Sequence, residues 1–306
     1  MMAAMNRRDS SRPWRGRLNL NESLAQHNTW RVGGPAARYY QPLDVDDLAA
    51  FLATLDDSEP LLWLGLGSNV LVRDGGFPGT VIATHPALDH CGRVEHELLR
   101  AGAGTPCAKV ARQLVRDGAT GLEFFAGIPG TIGGALAMNA GAFGGETWRQ
   151  VDGVETVDRR GRLHRRPASD YRVAYREVHA PAGDEWFVAA TFRVRPDPER
   201  SGEARIRALL ASRAQSQPMG EPSCGSVFRN PAGDYAGRLI EACGLKGATL
   251  GGAQVSRKHA NFIVNLGSAT AADIEGLIRR IQETVRGRCG VELVPEVRIV
   301  GEGKKP

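Results

Sequence analysis

The chain has 306 residues, of which 42% are hydrophobic and 24% are charged, and its formal net charge is +5. The 38 glycines follow no Gly-X-Y period, which excludes a collagen-like fibre and is compatible with a globular protein of several domains. No apolar run approaches the ~18 residues of a transmembrane helix, so we expect no membrane span. The five cysteines form no CxxC pair, so we expect reduced thiols, no metal site and a cytoplasmic location.

Residues 1–19 lack the apolar core of a secretory signal, and we predict that they form a flexible N-terminal arm. Residues 20–84 are the first predicted folded region, of α/β type. Its segment DVDDLAAFLATL predicts a helix, because the apolar residues fall on one face and Asp44 is a suitable N-cap. The short apolar runs LLWLGLG and TVIAT follow, and they predict buried strands.

Residues 85–200 are the second predicted region. The segment TPCAKVARQLVRDG predicts a helix with Thr105 as its cap and Gly118 as its stop, while LLRAGAG, VDGVETVD and WFVAATFRV predict strands. An arginine-rich segment at 159–166 surrounds Gly161. We interpret this segment as a solvated hairpin, and we therefore expect no nucleic-acid partner.

Residues 203–302 are the third predicted region, entered through the charged segment DPERSGEARIR. Two segments, DYAGRLIEACG and the longer ATAADIEGLIRRIQETVRGRCG, predict helices with one apolar face. FIVNLG predicts a strand, and VELVPEVRIVG predicts a final strand in which Glu292 and Glu296 share one face. The mixture of helices and strands in all three regions predicts an α+β protein.

Two glycine-rich stretches are candidates for close approach of the backbone to a ligand. In LGLGSNVLVRDGGFPG (64–79), glycines after a buried strand allow backbone N–H groups to face outward and bind a pyrophosphate, although a simple Gly-rich turn also fits. The stretch matches neither GxGxxG nor the Walker A pattern. The second stretch, GLEFFAGIPGTIGGALAMNAGAFGGE (121–146), is apolar and so should be folded. It suits the surface of a large flat cofactor or a tightly packed turn.

Seven motifs, in order along residues 20–302, resemble one flavoenzyme family, UDP-N-acetylenolpyruvoylglucosamine reductase, also called UDP-N-acetylmuramate dehydrogenase. These motifs are NTWRVGG, LGLGSNVLVRDGGFPGTVI, GLEFFAGIPGTIGGALAMNAGAFGGE, CGSVFRNP, GLKG, KHANFIVN and PEVRIVG. The resemblance implies an FAD-binding fold of the vanillyl-alcohol-oxidase (PCMH) type, made of two α/β subdomains, followed by a C-terminal α/β substrate domain.

The resemblance also implies an activity. The family uses NADPH to reduce UDP-N-acetylglucosamine enolpyruvate to UDP-N-acetylmuramate, a step in peptidoglycan precursor synthesis. FAD would be bound non-covalently, because LGLGSNV offers no His or Cys for attachment. NADPH and substrate would use one site in turn, so no separate Rossmann domain is needed. The short span from Arg176 to Gly225 matches the compact, type II form of the family. We expect a monomer.

Three catalytic residues follow from the matched motifs: Arg176 as the cation, Ser226 as the proton donor and Glu296 as the carboxylate. Hydride addition to an enolpyruvyl group leaves negative charge beside a carboxylate, so the site needs a fixed cation and an acid. Two Tyr-Arg pairs occur, at 171–172 and 175–176. We choose the second because family members carry an aromatic residue four positions before the catalytic pair.

Further contacts are implied for the two ligands. The predicted cofactor contacts are Gly65, Gly67, Ser68, Asn69, Gly127, Ile128, Pro129, Gly133, Gly134, Asn139, Ala140 and Gly141. The predicted substrate contacts are Tyr175, Arg229, Asn230, Lys246, Gln254 and His259.

Alternatives to these interpretations stay open at the level of sequence. Glu292 is the other candidate carboxylate in the predicted final strand. An FAD-linked oxidase or dehydrogenase of the same fold would share the glycine stretches but not the combination of CGSVFRNP with Glu296. A nucleotide-sugar-binding module without catalysis is the alternative from another functional class, and it would purify without flavin colour.

Overall fold

The computed structural model describes residues 12–304, and its first region contains a four-stranded sheet in the order β1-β2-β5-β3. The elements of this region are β1 (Arg17–Ser23), β2 (Pro35–Gln41), α1 (Val45–Leu52), β3 (Leu61–Leu64), β4 (Val70–Val72) and β5 (Phe77–Ala83). Strand β5 lies parallel to both β2 and β3. Asp44 caps α1 as predicted, because its side chain accepts a hydrogen bond from the backbone N–H of Asp47.

Residues 12–19 of the predicted arm pack against the first sheet. The ring of Trp14 packs edge-on against Tyr40 and Phe51, with ring centroids 5.4 Å apart in each case. The backbone N–H of Arg15 donates to the carboxylate of Asp47, and β1 begins two residues later. Burial of the Trp14 ring therefore anchors this segment to the first sheet. Residues 1–11, where the rest of the arm was predicted, lie outside the described residues.

The second region is built on a five-stranded antiparallel sheet in the order β12-β11-β15-β7-β6. Its elements are β6 (Cys91–Glu95), β7 (Leu98–Gly102), α2 (Cys107–Arg116), β8 (Ala119–Thr120), α3 (Ile132–Ala137), β9 (Gly141–Ala142), β10 (Gly145–Glu146), β11 (Val151–Asp158), β12 (Leu163–Pro167), β13 (Arg172–Ala174), β14 (Glu177–His179), β15 (Glu185–Arg193) and β16 (Arg195–Pro196). The predicted arginine-rich hairpin is confirmed, since β11 and β12 pair across a turn in which Gly161 has φ 78°.

The predicted cap of α2 is wrong by one residue. Pro106 occupies the N-cap position, and the hydroxyl of Thr105 instead donates to the carbonyl of His90 at 2.9 Å. The predicted stop is confirmed, because Gly118 follows the helix with φ 64°, a left-handed conformation that favours glycine.

The third region consists of α4 (Gly202–Ser216), α5 (Ala236–Ala242), β17 (Thr249–Leu250), β18 (Ala253–Val255), β19 (Ile263–Asn265), α6 (Ala271–Cys289) and β20 (Arg298–Val300). Strands β17, β18 and β19 form an antiparallel sheet. The predicted final strand is wrong over 291–297, where the chain is irregular, and β20 includes only the last part. Within residues 12–304, no helix combines the length and the apolar character needed to cross a membrane.

The three regions interlock. Strand β20 pairs in parallel with β4 of the first region. Trp30, fully buried, donates from its indole nitrogen to the carbonyl of Ile263 at 2.7 Å, while Asn265 donates back to the carbonyl of Trp30 at 2.9 Å. Helix α4 begins at the predicted boundary of the third region, but its buried Ile206 belongs to the core of the second. These contacts hold the regions at fixed positions around the space between them.

Loss of the α6 cap should weaken the third region measurably. Thr270 and Asp273 form a reciprocal capping box, each side chain accepting from the other's backbone N–H. We expect Thr270→Ala to lower the free energy of unfolding by about 1 kcal/mol in urea titrations. Thr284→Ala, in an exposed position on the same helix, is the matched control and should change it far less. Equal effects of the two variants would contradict the capping argument.

Candidate active site

A cleft of about 670 Å³ is lined by residues from all three regions. Its volume is in the range of cofactor and ligand sites. Every predicted cofactor residue except Asn139 lies in its wall: Gly65, Gly67, Ser68, Asn69, Gly127, Ile128, Pro129, Gly133, Gly134, Ala140 and Gly141. Tyr175, Arg176, Ser226, Asn230 and Glu296 lie in the same wall. The structure thus brings together residues that are up to 231 positions apart in the sequence, counting from Gly65 to Glu296 (296 − 65 = 231).

The first glycine stretch offers a row of backbone donors to the cleft. Within the described part of the chain, no hydrogen-bond acceptor is assigned to the backbone N–H groups of residues 66–69. Consecutive unpaired N–H groups form a concave site for anions such as a diphosphate. The glycines themselves are required by packing: a Cβ on Gly65 would lie 2.3 Å from the Thr131 hydroxyl, and one on Gly67 would lie 2.2 Å from the His27 carbonyl. The stretch is therefore a tight turn, and the predicted pyrophosphate contact of its free N–H groups stays a prediction.

The second glycine stretch also lines the cleft, and one of its glycines leaves open space. A Cβ on Gly134 would meet no atom closer than the Thr131 hydroxyl, at 4.0 Å. Gly134 is exposed, and it lines the cleft. Its missing side chain therefore leaves room for a ligand, in contrast to Gly127, where a Cβ would lie 2.3 Å from the Phe143 ring.

Two tryptophans of the cleft wall were not predicted as site residues. Trp63 and Trp186 stack with ring centroids 5.2 Å apart, and both line the cleft. The indole nitrogen of Trp63 is buried without a hydrogen-bond partner. A flat aromatic surface with an unused donor suits a heteroaromatic ring. The sequence showed both residues as ordinary strand positions, and only the packing of the first sheet against the second brings them together.

Arg176 is held at the tip of a short hairpin. Residues 175–176 form the turn between β13 and β14, and Arg176 has φ 56°, an unusual left-handed conformation for a non-glycine residue. Its guanidinium donates to Oε1 of Glu296 at 3.0 Å and to the carbonyls of Asn139 and Gly141 at 3.1 Å each. All three guanidinium nitrogens are thus held in place relative to the cleft.

The other Tyr-Arg pair has a different role. Tyr171 is buried, and its ring packs against Trp148 at 4.6 Å and Phe187 at 5.8 Å. Arg172 is exposed on β13 and does not line the cleft. The geometry therefore supports the choice of Arg176 over Arg172 as the candidate cation.

Ser226 follows Gly225, which adopts a left-handed φ of 72°. Its hydroxyl lies in the cleft wall and has no hydrogen-bond partner among the described residues. The segment after it is tightly fixed: Val227 donates to the carbonyl of Asn261 at 2.9 Å, and the backbone N–H of Glu296 donates to the carbonyl of Val227 at 2.7 Å. Ser226 and Glu296 are therefore carried by two segments that hydrogen-bond directly to each other.

Glu296 is the buried carboxylate of the site. Only 13% of its side chain is exposed, and burial raises its pKa, although Arg176 opposes the increase. A third contact holds its backbone, since the side-chain amide of Asn69 donates to the Glu296 carbonyl at 3.1 Å. The alternative carboxylate, Glu292, is exposed and lies outside the cleft wall. Glu296 precedes β20 and is not part of a strand, which corrects its predicted position.

Four predicted substrate residues do not line the cleft: Arg229, Lys246, Gln254 and His259. Arg229 is nevertheless close enough to Glu296 to favour its charged form, and its Nε is buried without a partner. Lys246 pairs with Glu241 at 2.8 Å, and burial lowers the pKa of His259. The roles of these residues in substrate binding stay predictions.

Two arginines of the cleft wall were missed by sequence reasoning. Arg213, in the last turn of α4, donates to Gln217 at 2.8 Å but pairs with no carboxylate among the described residues, and burial lowers its pKa. Arg298 lies in the wall at the start of β20, and its backbone N–H donates to Asn69. Both are available to an anion. No cluster of metal-ligating side chains occurs within residues 12–304.

Comparison with known proteins agrees with this arrangement. A family model described as an FAD binding domain matches residues 36–166, which include both glycine stretches. The fold and the cleft thus define an FAD-binding protein, and the predicted α+β class and FAD-binding fold are confirmed. A second model, described as the C-terminal domain of UDP-N-acetylenolpyruvoylglucosamine reductase, matches residues 217–300. The chain belongs to the UDP-N-acetylenolpyruvoylglucosamine reductase family, as its motifs predicted.

Individual relatives match over nearly the whole chain. The UDP-N-acetylenolpyruvoylglucosamine reductase of Alkalilimnicola ehrlichii is 58% identical over 94% of this chain and 96% of its own length. The enzyme of the same name from Methylococcus capsulatus is 59% identical over 95% and 96%. A crystal structure of the reductase from Thermus caldophilus superposes with a TM-score of 0.77 at 33% identity, covering 93% of this chain and 98% of the other. These matches do not favour the alternative of an oxidase with another substrate.

Proposed function

We propose that this protein is an NADPH-dependent flavoenzyme that reduces UDP-N-acetylglucosamine enolpyruvate to UDP-N-acetylmuramate in peptidoglycan precursor synthesis. The observation that carries the proposal is the ion pair of Arg176 and Glu296, 3.0 Å apart, in one cleft with the unpartnered hydroxyl of Ser226. A cation, a buried carboxyl and a hydroxyl are the groups that protonation beside a carboxylate requires. Family membership supplies the identity of the substrate.

The residues of the cleft fit FAD. The donor row of residues 66–69 suits its diphosphate, the space above Gly134 suits a flat ring, and the stacked Trp63 and Trp186 suit a heteroaromatic group. When bound, FAD supplies the hydride chemistry that no protein side chain provides, accepting hydride from NADPH and delivering it to the substrate.

Arg176 binds the carboxylate of the enolpyruvyl group in this proposal. Hydride addition to the double bond places negative charge on the carbon next to that carboxylate, and the fixed guanidinium stabilises it. Its three existing hydrogen bonds keep the cation in place before the substrate arrives, so little reorganisation is required during the reaction.

Ser226 donates the proton that completes the reduction, and Glu296 assists. A free serine hydroxyl is a weak acid, so it needs neighbours that favour its proton transfer. The raised pKa of Glu296 allows this carboxyl to hold a proton closer to neutral pH than an exposed glutamate does. We propose that Glu296 hydrogen-bonds to the reacting group and that Ser226 regains its proton from solvent.

Two arginines and one amide of the wall bind the nucleotide phosphates. Asn230, Arg213 and Arg298 face the cleft, and the two arginines pair with no carboxylate within residues 12–304. NADPH and the UDP-sugar both carry a diphosphate, so one set of cations serves each in turn. Both substrates are charged metabolites, and we place the reaction in the cytoplasm and expect a monomeric enzyme. Light scattering of the purified protein tests the oligomeric state.

The experiment that tests this function is turnover of the purified, FAD-loaded protein. We expect oxidation of NADPH to depend on UDP-N-acetylglucosamine enolpyruvate, and mass spectrometry to show a product that has gained two hydrogen atoms. NADPH oxidation that consumes oxygen and leaves the UDP-sugar unchanged would reject the proposed substrate. A colourless protein that does not bind added FAD would instead support a binding module without catalysis.

A larger side chain at Gly134 should block the cofactor without disturbing the fold. Because a Cβ there meets only open space, Gly134→Leu should leave the melting temperature of the FAD-free protein almost unchanged. We expect FAD affinity to fall at least tenfold, about 1.4 kcal/mol, in a fluorescence titration. Gly287→Leu, on the exposed face of α6 with no neighbouring atom within 4 Å, is the control and should retain affinity. Unchanged FAD affinity in the Gly134 variant would place the cofactor elsewhere.

A further inference from the structure

We propose that Asn139 is a positioning residue for Arg176 and does not contact the cofactor with its side chain. This inference rests on the proposed function, because it concerns the cation of the proposed reaction. Asn139 is the one predicted cofactor residue that is absent from the cleft wall, and it is 2% exposed. A side chain that is sealed from the cleft acts on the site only through its neighbours.

Both polar atoms of the Asn139 side chain are already used inside the protein. Its Nδ2 donates to the carbonyl of Ala174 at 3.1 Å, and its Oδ1 accepts from the backbone N–H of Trp148 at 3.1 Å. Ala174 is the last residue of β13, next to the turn that carries Arg176. The side chain therefore connects the base of the Arg176 turn to the buried backbone at Trp148.

The backbone of Asn139 holds the guanidinium end of the Arg176 side chain. Its carbonyl accepts from Nη1 of Arg176 at 3.1 Å, and the carbonyl of Gly141 accepts from Nη2 at 3.1 Å. Asn139 thus hydrogen-bonds both to the main chain before Arg176 and to the guanidinium of Arg176. The carbonyl direction depends on the backbone of Asn139, which has φ 44°, a left-handed conformation that Asn tolerates better than most residues.

The hairpin needs such an external hold. Every residue of β13 is exposed, and of β14 only Val178 is partly buried, so the hairpin has little core of its own. Arg176 adds a left-handed φ of 56° at its tip. A two-stranded hairpin of three residues per strand is marginal in water without packing against other elements. The Asn139 contacts, together with the Glu296 ion pair, supply that support on the cleft side.

The test is a double-mutant cycle on the second half-reaction, in which reduced enzyme is mixed with substrate. Asn139→Gly removes the side-chain contacts but keeps the left-handed backbone without strain. We expect this variant to reoxidise at least tenfold more slowly, with FAD affinity and the rate of flavin reduction by NADPH nearly unchanged. If Asn139 acts through Arg176, adding Asn139→Gly to Arg176→Ala should cause almost no further loss. If the double variant instead shows the product of the two single losses in rate, the proposal is overturned. A tenfold drop in the FAD affinity of Asn139→Gly would also overturn it.

A second readout does not depend on the reaction. Hydrogen–deuterium exchange of residues 172–179 should speed up in Asn139→Gly, because the hairpin loses one of its anchors. Arg200→Gly, at another left-handed non-glycine position remote from the cleft wall, is the matched control and should leave this exchange and the half-reaction as they are. If the unmodified enzyme fails to turn over, the proposed function is rejected, and unchanged exchange in Asn139→Gly then overturns the positioning role separately.

If Asn139→Gly does not fold, Asn139→Asp serves in both measurements. Aspartate keeps the size and the acceptor for the Trp148 N–H but loses the donor to the Ala174 carbonyl. In this variant too we expect faster hydrogen–deuterium exchange of the hairpin. Adding Asn139→Asp to Arg176→Ala should cause almost no further loss in the rate of the second half-reaction. Wild-type exchange and a wild-type second half-reaction in Asn139→Asp would overturn the proposal.

Discussion

Ser226→Ala is expected to slow the second half-reaction by about 10²–10⁴-fold, the usual contribution of a positioned proton donor. Flavin reduction by NADPH should be nearly unchanged, because hydride transfer to the flavin needs no proton from this hydroxyl. The two half-reactions can be followed separately by stopped-flow absorbance under anaerobic conditions. The variant should fold normally, since the Ser226 hydroxyl makes no hydrogen bond to the described residues.

Ser268→Ala is the control for this experiment, because Ser268 is exposed and lies outside the cleft wall and the pocket next to it. It should behave like the unmodified enzyme in both half-reactions. Equal losses in the two half-reactions of Ser226→Ala would mean that the hydroxyl positions the flavin or the nucleotide. The proton-donor role would then be abandoned, and the search for an acid would move to Glu296.

Arg176→Ala is expected to slow the second half-reaction by about 10²–10³-fold, as loss of a fixed donor to a developing negative charge does. A further effect adds to this loss. Arg176 lowers the pKa of Glu296 against the effect of burial, so its removal should raise that pKa further and leave the carboxyl protonated over a wider pH range. The rate of the second half-reaction should fall at high pH, where Glu296 loses its proton. In Arg176→Ala this fall should therefore move to higher pH. Stopped-flow reoxidation across pH measures both effects.

Arg172→Ala is the matched control, since Arg172 belongs to the other Tyr-Arg pair and is exposed on the same hairpin. Its half-reactions should be those of the unmodified protein. If the second half-reaction is slow in Arg172→Ala and unchanged in Arg176→Ala, the assignment of the catalytic cation is reversed. Arg176→Lys refines the result: it keeps the charge but loses the planar fork that meets three acceptors, so we expect only partial recovery.

Short continuous motifs explain why much of this site was predictable. Gly65 to Asn69, Gly127 to Gly134, and Ser226 each lie in a segment whose residues are neighbours in sequence and in the cleft wall. Tight turns and left-handed positions limit the residues that fit, so a local pattern carries the information. The catalytic candidates Arg176 and Glu296 were found through motifs of the same kind, and the structure places them 3.0 Å apart.

Features that depend on distant parts of the chain were missed or mistaken. Trp14 packs against an aromatic surface formed by Tyr40 and Phe51, and no pattern within residues 12–19 indicates this contact. Apolar residues at 291–297 gave a strand pattern, but the segment instead hydrogen-bonds to Val227 and so carries Glu296 to Ser226. The side-chain partners of Asn139, which are Ala174 and Trp148, lie on later elements and were not predicted, while its role as a cofactor contact stays a prediction.

The measurement that tests the central claim most directly is a single anaerobic turnover. The FAD-loaded protein is first reduced with one equivalent of NADPH, and UDP-N-acetylglucosamine enolpyruvate is then added without oxygen. We predict rapid return of the oxidised flavin spectrum, with UDP-N-acetylmuramate formed in equal amount. A flavin that stays reduced in the presence of this substrate would contradict the account.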